Sequence, residues 1–168
     1  MSSPNTNVSA HLHRTSIDIP EETRLEMIAL LNQQLANAFD LYSQTKQAHW
    51  NVKGMQFMQL HLLFDDVAGI VLGFVDAIAE RVTALGGTAT GTARMAVANT
   101  ELPELPVNLY KGEALLQAIV ERYAQFGAAV REGIDIAEEA DDIDTADLFT
   151  EISRSIDKNL WFLEAHLQ

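Results

Sequence analysis

The 168-residue sequence contains no cysteine, and this absence removes several chemistries at once. A disulfide scaffold, an iron–sulfur cluster, a thiolate zinc site and a thiol nucleophile all need cysteine side chains. Aromatic residues make up only 7% of the chain, too few for the stacking platforms that bind single-stranded nucleic acid. Long hydrophobic runs are also missing, because the longest, Val67 to Val75, ends at Asp76 and is far too short to span a bilayer.

Basic residues are scarce as well: 11 Lys and Arg stand against 24 Asp and Glu, which gives a formal net charge of -13. A surface this acidic repels phosphate backbones and attracts cations. The first 16 residues are polar and lack the apolar stretch of a secretory signal, so we expect a cytoplasmic protein. We interpret residues 1–16 as a mobile tail and residues 17–168 as a single domain.

Apolar residues recur at intervals of three and four through most of the domain, the spacing of helices that bury one face. The pattern predicts long helices over about residues 20–50, 57–85, 111–139 and 144–167. Asp144 is the expected cap of the last helix. The segment 88–108, with a short predicted helix at 93–98, is long enough to run the length of a bundle. We therefore predict an all-α, ferritin-like four-helix bundle with one long crossover.

The second predicted helix carries His61 and three carboxylates on one face. At about 100° per residue, Asp65 lies about 40°, Asp76 about 60° and Glu80 about 100° from that histidine around the helix axis. Since the rest of this helix is apolar, a buried carboxylate such as Asp76 needs a cation or a hydrogen-bond donor. A solvated pair of Asp76 and Glu80 is the alternative, which the apolar surroundings disfavour. The stripe predicts a metal-binding face.

The length of this helix sets a further condition on the site. His61 and Asp76 are fifteen residues apart, about 22 Å along an α-helix. One metal centre within a single chain cannot bridge that distance. Two copies of the helix packed antiparallel about a two-fold axis would bring His61 and Asp65 of one chain to Asp76 and Glu80 of the other. The Glu-x-x-His motif of intrachain di-iron bundles is absent from the sequence, which supports a shared site.

His49, at the end of the first predicted helix, is a further candidate ligand. All of the candidate ligands are therefore imidazoles or carboxylates. Such a set suits iron, zinc, manganese or cobalt. Carboxylates stabilise ferric iron, so oxidation of Fe(II) is the natural chemistry of this face. Zinc is an expected competitor, because Zn(II) exceeds Fe(II) in the general order of affinities.

Several motifs resemble those of the Dps family, the mini-ferritins named for DNA protection in starved cells. They are residues 46–54 (KQAHWNVKG), 60–65 (LHLLFD), 76–81 (DAIAER) and 144–148 (DTADL). The similarity covers about residues 15–168. It implies a hollow dodecamer that stores iron mineral, with ferroxidase centres at two-fold interfaces and hydrogen peroxide preferred to dioxygen as oxidant. The ligands it implies are His49, His61 and Asp65 of one subunit, with Asp76 and Glu80 of its neighbour.

The same resemblance implies an acidic iron-entry pore at a three-fold axis, near the start of the last helix. Asp142 and Asp147 are the best matches for its lining and Glu138 is a third candidate, with a solvated acidic turn as the alternative. Trp50, beside a ligand, is a candidate trap for stray oxidising equivalents, with plain packing as its alternative. His166 would add a ligand only if the last helix reaches the site.

The N-terminal residues depart from the family's DNA-binding members, which often carry a Lys-rich tail. Residues 1–16 contain no Lys, and Arg14 is their one basic side chain apart from histidine. With a net charge of -13, direct DNA binding at physiological salt is not expected, so a nucleoid-binding role is the disfavoured alternative. His11 and His13 are weak metal-ligand candidates. A plain helical interaction module, with no metal and a small oligomer, is a third hypothesis.

Overall fold

The computed structural model describes residues 12–168, which fold into an all-helical bundle. The helices are α1 (Glu21–Asn51), α2 (Phe57–Ala84), α3 (Ala93–Asn99), α4 (Gly112–Glu139) and α5 (Ile143–Glu164). The short α3 lies in the long connection between α2 and α4, so the predicted four-helix bundle with a helical crossover is confirmed. In the range 12–168, none of the helices combines the length and apolarity needed to cross a bilayer.

The bundle consists of two closely packed helix pairs, α1 with α2 and α4 with α5. Small residues on α4 let α5 approach closely. A Cβ added to Gly127 would lie 3.2 Å from Ile156 Cγ2, and one added to Gly133 would lie 3.1 Å from Phe149 Cε2. These two contacts also show that α4 and α5 run antiparallel. Apolar side chains from all four long helices fill the core between the pairs.

Arg122 anchors the crossover to the middle of the bundle. This guanidinium is buried, and it donates hydrogen bonds to Gln44 Oε1, the Ala118 carbonyl and the Glu104 carbonyl, each at 2.7 Å. Gln44 in turn donates to the carbonyl of Pro103 at 3.2 Å. Burial lowers the pKa of Arg122 from its ordinary value, the nearby charges of Glu121 and Asp40 opposing that effect. The crossover is therefore attached to both α1 and α4 through one residue.

Asp142, rather than Asp144, caps α5, so the predicted cap is wrong. The Asp142 carboxylate accepts hydrogen bonds from the Thr145 backbone N–H at 3.1 Å and from the Thr145 hydroxyl at 2.6 Å. Arg81, at the end of α2, donates to the same carboxylate at 2.6 Å. Asp142 is only 1% exposed, whereas Asp144 is exposed and lies 3.9 Å from Arg81. Three donors from two helices thus hold Asp142 inside the turn.

The segment before α1 packs against the far end of α2. The His13 backbone N–H donates to the Gly86 carbonyl at 2.8 Å, and Leu12 contacts the core. The Arg24 side chain donates to the Leu85 carbonyl at 2.9 Å, so it binds a backbone carbonyl at the C-terminal end of α2. Within the predicted tail, Leu12 and His13 thus contact the bundle. Residues 1–11 of that tail, including His11, lie outside the described residues.

Candidate metal centre

Two histidines are brought together where α1 ends and α2 begins. His49 Nδ1 donates to the His61 carbonyl at 2.7 Å, and His61 Nδ1 donates to the His49 carbonyl at 2.9 Å. The rings stack with centroids 3.8 Å apart and planes inclined by 19°. A carbonyl oxygen only accepts, so each Nδ1 carries a hydrogen. In the neutral imidazole this leaves the Nε2 lone pair of both rings available to a metal ion.

Apolar and buried surroundings hold this pair in place. His49 is buried under the corner between the two helices, and His61 is half-buried. The Phe57 ring also stacks on His61, with centroids 5.1 Å apart. Since both rings are fixed by backbone acceptors and by stacking, they would bind a metal with little loss of side-chain freedom.

Asp65 lies near the histidine pair, but its carboxylate is bound to Lys46. The Lys46 ammonium donates to Asp65 Oδ1 and lies 5.9 Å from the centroid of the Trp50 ring. The hydrogen bond from Lys46 lowers the pKa of the Asp65 carboxyl, while its slight desolvation opposes this and the charges of Lys46, His49 and His61 add to it. Asp65 is therefore ionised, with an ammonium where a metal ion would bind.

Asp76 and Glu80 lie further along α2, and both are exposed to solvent in the single chain. Because Asp76 and His61 lie on one helix, the two carboxylates are separated from the two histidines by the distance along α2 that the sequence predicts. Within the described residues, no group of three or more His, Asp or Glu side chains is placed to hold a metal ion. One chain alone supplies only part of a metal centre.

The outward face of α2 between these two ligand groups is apolar and unusually open. Leu62, Ile70 and Leu72 are 54%, 41% and 44% exposed. Gly69 and Gly73 lie on α2 as well, and a Cβ added to either would meet no atom of the same chain within 4 Å. The packing of this chain therefore does not account for either glycine. The expected apolar surroundings of Asp76 are present, but in one chain they face solvent.

The remaining predicted residues take different positions. Trp50 is largely exposed on the last turn of α1. Glu138 and Asp147 are exposed on either side of the turn between α4 and α5, whereas Asp142 is buried within that turn. His166 is exposed beyond the end of α5 and donates from Nδ1 to the Phe162 carbonyl at 2.8 Å. No hydrogen bond or ring contact joins His166 to the stacked histidines in the part of the chain that is described.

Two residues of this region were not predicted as functional, Lys46 and Phe57. Lys46 precedes His49 by one helical turn and is itself part of the 46–54 motif, so the signal for it was present. Its contact with Asp65 joins residues nineteen positions apart on different helices, which no local pattern reveals. Phe57, the first residue of α2, lies one turn before His61, the spacing of side chains that stack along a helix.

Comparisons with known proteins agree on one family. The model of the ferritin-like domain matches residues 28–168. A DNA protection during starvation protein from Agrobacterium fabrum is 45% identical over 156 residues, 93% of this chain and 96% of that protein. Another from Brevibacillus brevis is 32% identical over 139 residues, 83% and 93% of the two chains. Among solved structures, DpsC from Streptomyces coelicolor has a TM-score of 0.89 at 31% identity, covering 94% of this chain and 92% of that one.

Proposed function

Because the chain belongs to the ferritin-like domain family and, within it, to the family of DNA protection during starvation proteins, we propose that it oxidises Fe(II) and stores the ferric product in a protein cage. The reaction takes place at di-metal sites shared between two chains, and hydrogen peroxide is the preferred oxidant over dioxygen. The division of the ligands along α2 supports this most strongly. A fixed histidine pair lies at one end, two carboxylates lie at the other, and neither group suffices alone.

An antiparallel pair of α2 helices would complete two such sites at once. Pairing His61 with Glu80 of the second chain, and Asp65 with its Asp76, gives both pairs the same midpoint, between Ile70 and Val71. Gly69 and Gly73 flank that midpoint and would allow the two helix backbones to approach closely. The exposed leucines and isoleucine of this face would be covered by the same contact. The two-fold arrangement therefore accounts for features that a single chain leaves unexplained.

In each shared site, His49, His61 and Asp65 of one chain would face Asp76 and Glu80 of the other. Two Fe(II) ions held there would each give one electron to hydrogen peroxide. The O–O bond then takes up both electrons and two protons, which yields two Fe(III) and two water molecules without releasing a hydroxyl radical. Carboxylate ligands favour the ferric product. Trp50, one residue from His49, would intercept oxidising equivalents that escape this two-electron step.

Lys46 makes the two metal positions of this site unequal. Its ammonium neutralises Asp65 in the metal-free chain, so an ion that binds there must first displace it. In the part of the chain that the structure describes, no ammonium or guanidinium group is bound to either histidine ring, whose Nδ1 atoms bond to backbone carbonyls. We therefore expect one tightly and one weakly bound metal ion per site. Zinc would compete with iron for both, because imidazole and carboxylate ligands suit either metal.

Iron would enter the cage, a dodecamer built from these dimers, beside the turn between α4 and α5. Glu138 and Asp147 are exposed there and carry the negative charge that would concentrate Fe(II). The sequence-based expectation is that Asp142 lines this entrance. In the structure its carboxylate instead accepts hydrogen bonds from Arg81 and Thr145 inside the turn, where it supports the entrance. His166 is retained only as an accessory ligand candidate.

Protection of DNA, which the relatives' names describe, would follow here from removing Fe(II) and peroxide together. A net charge of -13 per chain opposes direct binding to a phosphate backbone, so we do not propose a DNA-binding role.

Subunit complementation tests the shared site directly. His61→Ala and Asp76→Ala variants, each inactive alone, are co-expressed so that their chains assemble at random. In a mixed dimer one site carries both lesions and the other carries none. About a quarter of all sites should then be intact, since about half of the dimers are mixed and each mixed dimer has one intact site of two. Fe(II) oxidation by peroxide, measured anaerobically by ferric absorbance, should recover to that extent.

The control is a mixture of the two variants assembled separately, which should remain inactive. If each site lay within one chain, every chain of the co-expressed mixture would still carry a lesion and no activity would return. Replacing peroxide by dioxygen in the same assay tests the oxidant: we expect slower oxidation, and an equal or faster rate would contradict the peroxide preference.

A further inference from the structure

Within residues 12–168, two buried polar side-chain atoms have no hydrogen-bond partner in the protein. They are the Tyr123 hydroxyl on α4 and the Asn159 amide nitrogen on α5. Both residues are almost fully buried, at 0% and 1% exposure. An unpaired buried donor is costly, and such groups usually bind an ordered water molecule.

The packing of α4 against α5 places these two residues at the same height in the bundle. Gly127 lies against Ile156, and the two helices run in opposite directions. Moving one turn back along α4 from Gly127 reaches Tyr123. Moving one turn forward along α5 from Ile156 reaches Asn159. Both residues are buried, so both point into the core at this level.

Helix α1 contributes a third polar group at this level, Thr45. Its neighbour Gln44 accepts a hydrogen bond from Arg122, the residue before Tyr123. Burial raises the pKa of the Tyr123 phenol and the nearby Thr45 side chain partly offsets this, so the two hydroxyls are neighbours without forming a direct hydrogen bond. Thr45 already donates its own hydrogen to the Leu41 carbonyl at 2.6 Å, and its oxygen is left as an acceptor.

We propose that Tyr123, Asn159 and Thr45 together hold one water molecule in the interior of the bundle. The water accepts a hydrogen bond from Asn159 Nδ2 and donates one to Thr45 Oγ1. The Tyr123 hydroxyl completes its shell as donor or acceptor. Three partners are typical of a buried water. The set contains no carboxylate or imidazole, so the ligand is a neutral molecule of this size and not a metal ion.

This site would link three helices at the height where α1 carries Lys46. The water lies behind α1 on its core side, while Lys46 reaches Asp65 on α2. It is separate from the proposed metal centre, because none of its three residues is a proposed iron ligand. Its existence therefore does not depend on the proposed function.

Crystal structures of the assembled protein and of two variants test the proposal. The wild-type protein should show a density peak within hydrogen-bond distance of both Tyr123 Oη and Asn159 Nδ2. The peak should weaken or disappear in Tyr123→Phe and in Asn159→Leu, and it should persist in Tyr110→Phe, which changes an exposed tyrosine. A dry gap, or a direct Tyr123–Asn159 hydrogen bond in the wild type, would overturn the proposal.

A thermal-denaturation cycle gives a second, independent readout. If both side chains bind one water, the double variant should lower the thermal midpoint by little more than the larger of the two single changes. Independent changes that simply add would contradict a shared ligand. Tyr123→Phe removes a single oxygen atom, so at least this variant is expected to assemble normally.

Discussion

Lys46 is the residue whose contact changes the expected behaviour of the metal site most. Replacing it in Lys46→Met removes the ammonium that neutralises Asp65 and keeps most of the side-chain length. The weaker metal position should then bind several-fold more tightly, a modest change because an exposed ion pair contributes little in water. Anaerobic calorimetric titration with Zn(II) or Co(II) measures both affinities.

Lys53→Met, at an exposed lysine nearby, is the control and should leave them unchanged. Two unaltered affinities in Lys46→Met would show that the ammonium does not compete.

Tyr123 gives the bundle a pH dependence at the alkaline end. In the unfolded chain this phenol ionises near pH 10, whereas burial raises its pKa in the folded protein. The stabilisation is thus complete below pH 10 and is lost as the pH rises above 10, by up to about 1.4 kcal/mol per pH unit. The thermal midpoint should fall more steeply above pH 10 in the wild type than in Tyr123→Phe. Tyr110→Phe should follow the wild type, and equal slopes in all three proteins would contradict the burial effect.

At the level of single residues, the sequence identified the ligand candidates but not their partners. His61 and the carboxylates could be proposed as ligands from the sequence because residue type and helical spacing are local properties. The interaction of Asp142 with Arg81 spans sixty-one positions, and the acidic turn offers several equivalent caps. Choosing Asp144 over Asp142 was wrong because a long-range donor decides between them. The reciprocal histidine bonds likewise depend on how two helices meet.

At the level of elements, the helices begin and end close to their predicted positions. The first two were expected over about 20–50 and 57–85 and are found at Glu21–Asn51 and Phe57–Ala84. Glycine and proline mark these ends, and they act through local backbone preferences. The last helix was expected to reach about residue 167, but it ends at Glu164. No glycine or proline marks this end, so the sequence pattern did not locate it. The attachment of the crossover could not be predicted, because it depends on the buried Arg122.

The crossover provides a prediction about stability. Arg122→Met keeps the aliphatic stem but removes three hydrogen bonds, two of them to crossover and helix carbonyls. We expect a loss of about 3 kcal/mol, since bonds to a charged group contribute about 1.5–3 kcal/mol each and the buried charge is removed with them. Thermal unfolding and limited proteolysis between residues 88 and 110 measure the effect. Arg131→Met breaks an exposed pair with Asp157 and should change either readout little. Equal losses in both variants would contradict the anchoring role.

At the scale of the whole molecule, the acidic charge should act on the rate of iron entry. Glu138→Gln with Asp147→Asn removes two exposed charges beside the turn between α4 and α5. Fe(II) oxidation at low ionic strength should slow several-fold, and the difference should shrink in high salt as the attraction is screened. Stopped-flow absorbance at fixed peroxide follows this rate. Glu113→Gln with Glu121→Gln removes the same charge elsewhere on α4, and an equal slowing in that control would count against a local entrance.

The assembly itself depends on how closely two α2 helices can approach. Gly73→Leu adds a side chain where the chain's own atoms leave open space, and leucine is a better helix former than glycine, so the subunit should keep its fold. If a second α2 packs against this position, the added side chain must separate the two backbones. Light scattering should then show loss of the large oligomer, peroxide-driven Fe(II) oxidation should fall with it, and the circular dichroism signal of the helices should remain.

Gln117→Leu, which places the same side chain on an exposed position of α4, should preserve both assembly and activity. A Gly73→Leu protein with unchanged mass and rate would place the contact between subunits, and with it the second half of each metal site, on some other face.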